Sequence, residues 1–196
     1  MSSYTRQQLE NWISQLDVKA NRVLDIGGAQ LPVKGRTKSW DVKEYKILDL
    51  EQPHECKQKP DIIRDLNDYW PFDHNDEIYI IPEFDVVFCL EVSEYWWNPV
   101  QALKNVNILL KPGGLLYISF HFIYPVHNPS EQDYLRYTPE GVKKLLKETG
   151  FEIVDIVPRL YEETPPINYF ILEQMRPAKE YDKHDWVGCL VKAKKI

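Results

Sequence analysis

The sequence predicts an α/β protein built on an open, mostly parallel sheet. Arg22-Val23-Leu24-Asp25-Ile26-Gly27-Gly28 is an apolar strand running straight into an acid and a glycine pair. A second strand, Tyr45-Lys46-Ile47-Leu48-Asp49-Leu50, ends in another acid, and strand-sized apolar runs then alternate with amphipathic helical stretches. In such a sheet, ligands sit at the carboxyl ends of the strands where the topology switches, and glycine there removes the Cβ that would hold a ligand off the backbone. Asp49 is placed to accept hydrogen bonds from a ribose diol, so the pattern reads as a nucleoside-cofactor site.

The elements follow in order. Thr5 with Gln8 reads as a capping box, and Leu9, Trp12, Ile13 and Leu16 recur on one helical face. Asn98 before Pro99 opens a second helix, with Leu103, Val106 and Leu110 on one side up to the break at Pro112. Thr138, Pro139 and Glu140 open a third, striped by Val142, Leu145 and Leu146 and stopped by Gly150. Phe151 to Val157 reads as a sixth strand and Trp186 to Ala193 as a final one. The connection from the first strand to the second is short and broken by Pro32, so its helix is expected to be reduced or irregular. Residues 158–185, with Pro158, Pro165, Pro166 and Pro177 and several tyrosines, read as a long loop of the kind that is functional or mobile.

The glycine spacing narrows the cofactor. A dinucleotide fingerprint needs three glycines in G-x-G-x-x-G, whereas the register from Gly27 reads Gly27-Gly28-Ala29-Gln30-Leu31-Pro32. Pro32 and Gly35 also interrupt the helix whose amides would hold a pyrophosphate. A cofactor without phosphate loses nothing by this, and a nicotinamide-dependent reductase is disfavoured.

The pattern resembles the first motif of class I S-adenosylmethionine-dependent methyltransferases, with Ala29 where the last glycine is expected. The resemblance continues through Asp61-Ile62-Ile63-Arg64-Asp65-Leu66, Phe84-Asp85-Val86-Val87-Phe88-Cys89-Leu90-Glu91-Val92 and Leu110-Lys111-Pro112-Gly113-Gly114-Leu115. It implies a Rossmann-like, seven-stranded, mostly parallel sheet in the order 3-2-1-4-5-7-6, with an antiparallel last strand and helices on both faces. It also implies S-adenosylmethionine as cofactor. Gly27 and Gly28 would admit its amino-acid portion, Asp25 would orient that loop, and Asp49 beside Leu50 would take the ribose hydroxyls. Asp65 would accept the adenine amino group next to Leu66, and Leu90 and Glu91 would close the other wall. The plainer reading of Asp65 is an ordinary turn residue, and of Glu91 an exposed strand-end acid.

At 196 residues the chain is expected to form one domain over 1–196, burying about 70% of its unfolded surface. Its parts would be a helical segment at 1–20, a cofactor-binding core at 21–157, the loop at 158–185 and a last strand at 186–196. Cys56, Cys89 and Cys189 are scattered and odd in number, and Met1 to Arg6 carries no apolar leader, which points to the cytoplasm. No apolar run approaches the ~20 residues of a membrane span. A net charge of −6 makes nucleic acid an improbable partner and favours a small-molecule acceptor. His54 with Cys56 is too sparse for a structural metal.

Acceptor-facing loops are expected after the fifth strand, at Ser119-Phe120-His121-Phe122-Ile123-Tyr124-Pro125-Val126-His127. His121 and His127 are the candidate bases for hydroxyl methylation, since imidazole titrates near working pH. Asp133-Tyr134-Leu135-Arg136-Tyr137-Thr138 resembles a pattern of methyltransferases found with sugar and glycan pathways, with Leu135 in place of a tryptophan. Arg136 either binds an acidic group or pairs with Asp133. The function expected is methyl transfer to an oxygen or nitrogen of a small polar, sugar-like acceptor. The alternatives are a nucleic-acid or protein methyltransferase, and a non-catalytic module whose Trp96-Trp97 and tyrosine-rich loop form a contact patch.

Overall fold

Phe84-Asp85-Val86-Val87-Phe88-Cys89 is almost wholly apolar and almost wholly buried, the composition of a strand covered on both faces. It lies at the centre of the sheet in the computed structural model, which describes residues 3–70, 83–160 and 186–196. The strands are β1 (Asp17–Ile26), β2 (Ser39–Asp49), β3 (Ile62–Ile63), β4 (Phe84–Cys89), β5 (Leu110–His121), β6 (Phe151–Leu160) and β7 (Trp186–Lys195). They form one sheet in the order β3-β2-β1-β4-β5-β7-β6, with β7 antiparallel to both its neighbours. This is the Rossmann-like arrangement expected.

Helices cover both faces. Leu9 and Ile13 of α1 (Tyr4–Ile13) pack on Val23, Phe88 and Tyr117. Leu103 and Val106 of α2 (Pro99–Leu109) and Val142 and Leu146 of α3 (Pro139–Glu148) pack on the opposite face with Leu24, Val87 and Ile118. Asn98 and Thr138 cap α2 and α3 as expected, accepting from the Gln101 and Gly141 amides at 3.3 and 3.1 Å. Gly150, at φ +83°, ends the α3 hairpin into β6.

Several boundaries differ from expectation. The cap of α1 is Ser3, which accepts from the Arg6 amide, while Thr5 is buried inside the helix. Gln8 is no capping-box partner: its side chain bonds the Leu160 amide and carbonyl, extending the edge of β6. β1 begins at Asp17, so residues 17–20 belong to the sheet rather than the helical segment. β6 runs through Pro158 to Leu160, which an edge strand tolerates because one side of its backbone needs no ladder bond. Residues 158–160 are therefore strand, and the remainder of the expected loop, 161–185, lies outside the described residues. The β1–β2 connection contains turns and bends and no helix, in line with the proline that interrupts it.

The Pro-Gly-Gly turn is absorbed into β5. Phe84 pairs with Leu110 and Val86 with Leu115, so Lys111 to Gly114 bulge out. A Cβ on Gly114 would lie 2.9 Å from Leu110 Cδ2 and from the Lys111 carbonyl oxygen, which excludes any larger residue.

Candidate active site

The carboxyl ends of the central strands open into a cavity of about 990 Å³. Asp25, Gly27, Asp49, Leu50, Asp65, Leu66, Leu90, Glu91 and His127 line it, and Gly28 and His121 do not.

The turn after β1 is tied directly to the end of β2. The Gly27 amide donates to the Leu48 carbonyl at 2.9 Å and the Ala29 amide to Asp49 Oδ2 at 3.2 Å. Leu50 donates its own amide to Asp49 Oδ1 at 2.9 Å. Both carboxylate oxygens are thereby oriented, each with a lone pair to spare. Burial pushes the Asp49 pKa up against the two main-chain donors. Gly27 sits at φ +74°, and a Cβ there would also come within 2.3 Å of Val92 Cγ2. The glycine thus permits both the turn and its contact with the segment after β4.

Asp25 is a buried anchor. Its Oδ2 accepts from the Val33 amide at 2.7 Å and the Tyr45 hydroxyl at 2.6 Å, and burial pushes its pKa up to about 6. A Cβ on Gly28 would lie 2.6 Å from that carboxylate, so Gly28 makes room for Asp25 rather than for a ligand.

Asp65 closes its own turn, with Oδ1 accepting from the Asn67 amide at 2.8 Å and Nδ2 at 3.1 Å. Oδ2 has no partner among the described residues. Fully buried Asn105 holds this turn from α2, donating to the Leu66 and Asp68 carbonyls at 3.0 and 2.8 Å.

Glu91 is not an exposed strand-end acid. It takes a left-handed φ of 58°, which turns its side chain into a buried ion pair with Arg159 at 2.8 Å. Its amide donates to Ser119 Oγ at 2.7 Å, and that hydroxyl donates back to Glu91 Oε1 at 2.9 Å. Burial alone would raise the Glu91 pKa, but His121 and Arg159 hold it well below the usual carboxylate range.

The two histidines diverge. His121 is 1% exposed, with Nε2 at 3.3 Å from Glu91 Oε2 and 3.4 Å from Glu94 Oε1. These contacts are electrostatic rather than well-aligned hydrogen bonds. Burial lowers its pKa, but the two carboxylates outweigh this and lift it to about 9. Arg159 Nη1 lies 3.4 Å from Nδ1 on the other side of the ring. In either protonation state the Nε2 proton stays on the carboxylate side, so no lone pair of this ring reaches the cavity. The expectation of a base at His121 therefore meets a buried ion-pair member instead. His127 does reach the cavity, with Nδ1 3.1 Å from Glu94 Oε1 and 3.0 Å from the Tyr95 hydroxyl.

Of the two readings of Arg136, the structure shows the pairing: Nη1 donates to Asp133 Oδ1 and Nη2 to Oδ2. Trp96 is buried, whereas Trp97 and Tyr134 stand open at the cavity mouth, 63% and 50% exposed. Cys89 and Cys189 are core residues and Cys56 is exposed.

A family model described as a methyltransferase domain matches residues 9–116, more than half of the chain. The chain belongs to the methyltransferase domain family. Among solved structures, this methyltransferase is similar to the N-methyltransferase NodS from Bradyrhizobium japonicum WM9 in complex with S-adenosyl-L-homocysteine. That likeness has TM-score 0.60 and 14% identity, covering 99% of this chain and 89% of the other. It is also similar to 1,6-didemethyltoxoflavin-N1-methyltransferase of Burkholderia thailandensis, crystallised with 1,6-didemethyltoxoflavin and S-adenosylhomocysteine, with TM-score 0.57, 16% identity and coverage of 97% and 76%. A third neighbour is the [4+2]-cyclase SpnF, with TM-score 0.57, 19% identity and coverage of 97% and 80%. A search of curated proteins returned no match.

Sequence reasoning missed Glu94, Tyr95 and Arg159 in this methyltransferase. Glu94 and Tyr95 lie in the 3-10 turn Ser93–Tyr95, which bends them back beneath β5. Arg159 offered one signal, a lone cation between Pro158 and Leu160 in a strand. Among the described residues no helix is long and apolar enough to cross a membrane, and no cluster of His, Cys, Asp or Glu suits a metal ion.

Proposed function

We propose that this chain transfers a methyl group from S-adenosylmethionine to an oxygen or nitrogen of a small polar, sugar-like acceptor. The observation that carries the reading is the junction of the Gly27 turn with the Asp49 carboxylate at the edge of an open cavity. A diol acceptor, a close-approach backbone and an apolar wall stand together there, which is the donor set an adenosyl compound needs. When bound, that cofactor supplies a methyl group already activated on a sulfonium.

The protein's task is then binding and alignment. Asp49 accepts the ribose hydroxyls with its remaining lone pairs, Gly27 admits the amino-acid portion, and Asp25 holds the loop without touching the ligand. Gly28 contributes through the space it leaves Asp25. Leu50, Leu66 and Leu90 face the adenine, Asp65 Oδ2 accepts its amino group, and Glu91 closes the wall with its charge already consumed by Arg159. His127, Tyr95, Trp97 and Tyr134 form the acceptor side. About 990 Å³ lies at the upper end of ligand-site volumes, enough for donor and a small acceptor together. The net charge of −6 favours such an acceptor over nucleic acid. A cytoplasmic, single-domain enzyme over residues 1–196 completes the reading.

The cyclase among the neighbours shows that this fold also hosts another reaction. Calorimetry with S-adenosylmethionine tests the donor directly. Saturable binding by the wild type, weakened at least tenfold in Asp49→Ala at unchanged melting temperature, is expected. Absence of binding by the wild type overturns the reading.

A further inference from the structure

The Tyr95 hydroxyl lies 2.6 Å from the Asn128 carbonyl oxygen. A carbonyl only accepts, so the Tyr95 proton is committed to that bond. The same hydroxyl oxygen lies 3.0 Å from His127 Nδ1, and Glu94 Oε1 lies 3.1 Å from it on another side. Glu94 is fully buried, yet its pKa stays below the usual carboxylate range: burial raises it, and the His121 and His127 rings beside its carboxylate outweigh that. Two acceptors therefore flank one ring nitrogen, and the proton between them belongs to Nδ1. In the neutral ring Nε2 is then the bare nitrogen, and no group among the described residues bonds it.

The surrounding backbone is fixed as well. Asp133 accepts the His127 amide while gripping Arg136. Arg136 donates in turn to the Tyr124 and Pro125 carbonyls at 3.3 and 3.0 Å, so the chain leading into His127 is held from outside.

We propose that Glu94 and Tyr95 are positioning residues that lock His127 as the Nδ1–H tautomer and so present Nε2 as the proton acceptor for the atom being methylated. This role rests on the methyltransferase reading above. The acceptor atom bonds to the methyl carbon as the carbon–sulfur bond breaks with its electron pair on sulfur. The acceptor's proton passes to Nε2, and the imidazolium formed is balanced by the Glu94 carboxylate. The logic is that of a carboxylate–histidine pair, in which the buried acid selects the tautomer and stabilises the ring once charged. A buried carboxylate with one oxygen, Oε2, left unpartnered is otherwise a net cost to the fold.

Nitrogen NMR of the full chain with labelled histidine reads the tautomer, with His127 assigned from the signals lost in His127→Asn. In the neutral ring the wild type is expected to show protonated Nδ1 and bare Nε2. The double variant Glu94→Gln, Tyr95→Phe is expected to shift the proton toward Nε2. A wild-type ring protonated on Nε2 overturns the proposal, as does a double variant with unchanged tautomer. Calorimetry of the wild type with S-adenosylmethionine is the separate arm. Donor binding with the wrong tautomer refutes the positioning role alone, whereas the expected tautomer without donor binding refutes the base through the reaction it serves.

Discussion

Tyr45 donates its hydroxyl proton to Asp25 across the first two strands of the sheet, at 2.6 Å, and closes a buried carboxylate off from water. The same oxygen takes the Val33 amide, so one side chain joins β2, the end of β1 and the far side of the Gly27 turn.

That burial has a pH consequence. Burial lifts the Asp25 pKa to about 6 in the folded chain from an ordinary 3.8, so between those values the native state binds the extra proton and stability falls as pH rises. The resulting destabilisation is about 3 kcal/mol, absent below about pH 4 and fully felt above about pH 6. Asp25→Asn keeps an acceptor for Val33 and Tyr45 and is expected to flatten this segment of the stability curve. Denaturant melts at pH 4, 5, 6 and 7 compare the two slopes, and parallel curves would remove Asp25 as the cause.

Gly28→Ala drives a methyl group into a carboxylate that two donors hold in place, with a first contact of 2.6 Å. A loss of about 1–3 kcal/mol is expected. Combining it with Asp25→Ala is expected to cost less than the sum of the single changes, because the clash disappears with the carboxylate. Additive losses in urea melts would show the two residues to be independent.

Arg159→Met leaves Glu91 as a buried carboxylate facing only the Ser119 hydroxyl and His121, and about 3–5 kcal/mol should be lost. Arg159→Met with Glu91→Gln removes both charges and is expected to recover a large part of that. Equal stability of the single and double variants in guanidinium melts would mean the pair is not energetically linked.

Asn105→Leu deletes the two donors that hold the buried Leu66 carbonyl and the part-buried Asp68 carbonyl and leaves both acceptors short. A loss of about 2 kcal/mol or more is expected from two unsatisfied groups. Because the Asp65 turn is released, donor affinity should also fall, by a larger factor than in a surface control such as Lys104→Ala. Calorimetry at a temperature where both variants are folded makes the comparison.

Much of the sheet could be read without coordinates. Apolar runs with terminal acids, Asn98 before Pro99 and Gly150 after the α3 stripe are local signals, because capping, propensity and burial act within a few residues of chain. Element boundaries were less legible: Ser3 rather than Thr5 caps α1, and Gln8 bonds Leu160, a partner 152 residues away, rather than a cap. The candidate site divides the same way. Asp49 beside the Gly27 turn follows from strand order, whereas Asp25 as a buried anchor, Glu91 as an ion-pair member and the different fates of His121 and His127 do not.

The order of polar and apolar residues along the chain by itself determined the parallel sheet, the place of its ligand end and the acid at the tip of the second strand. Periodicity and capping are properties of neighbours in sequence. Tertiary structure alone decided which carboxylates are spent on Arg159 and His121 and which face the cavity, and which imidazole keeps an open nitrogen. Those outcomes depend on distances of about 3 Å between residues far apart in the chain, and on how completely water is excluded around them, quantities that no local pattern encodes.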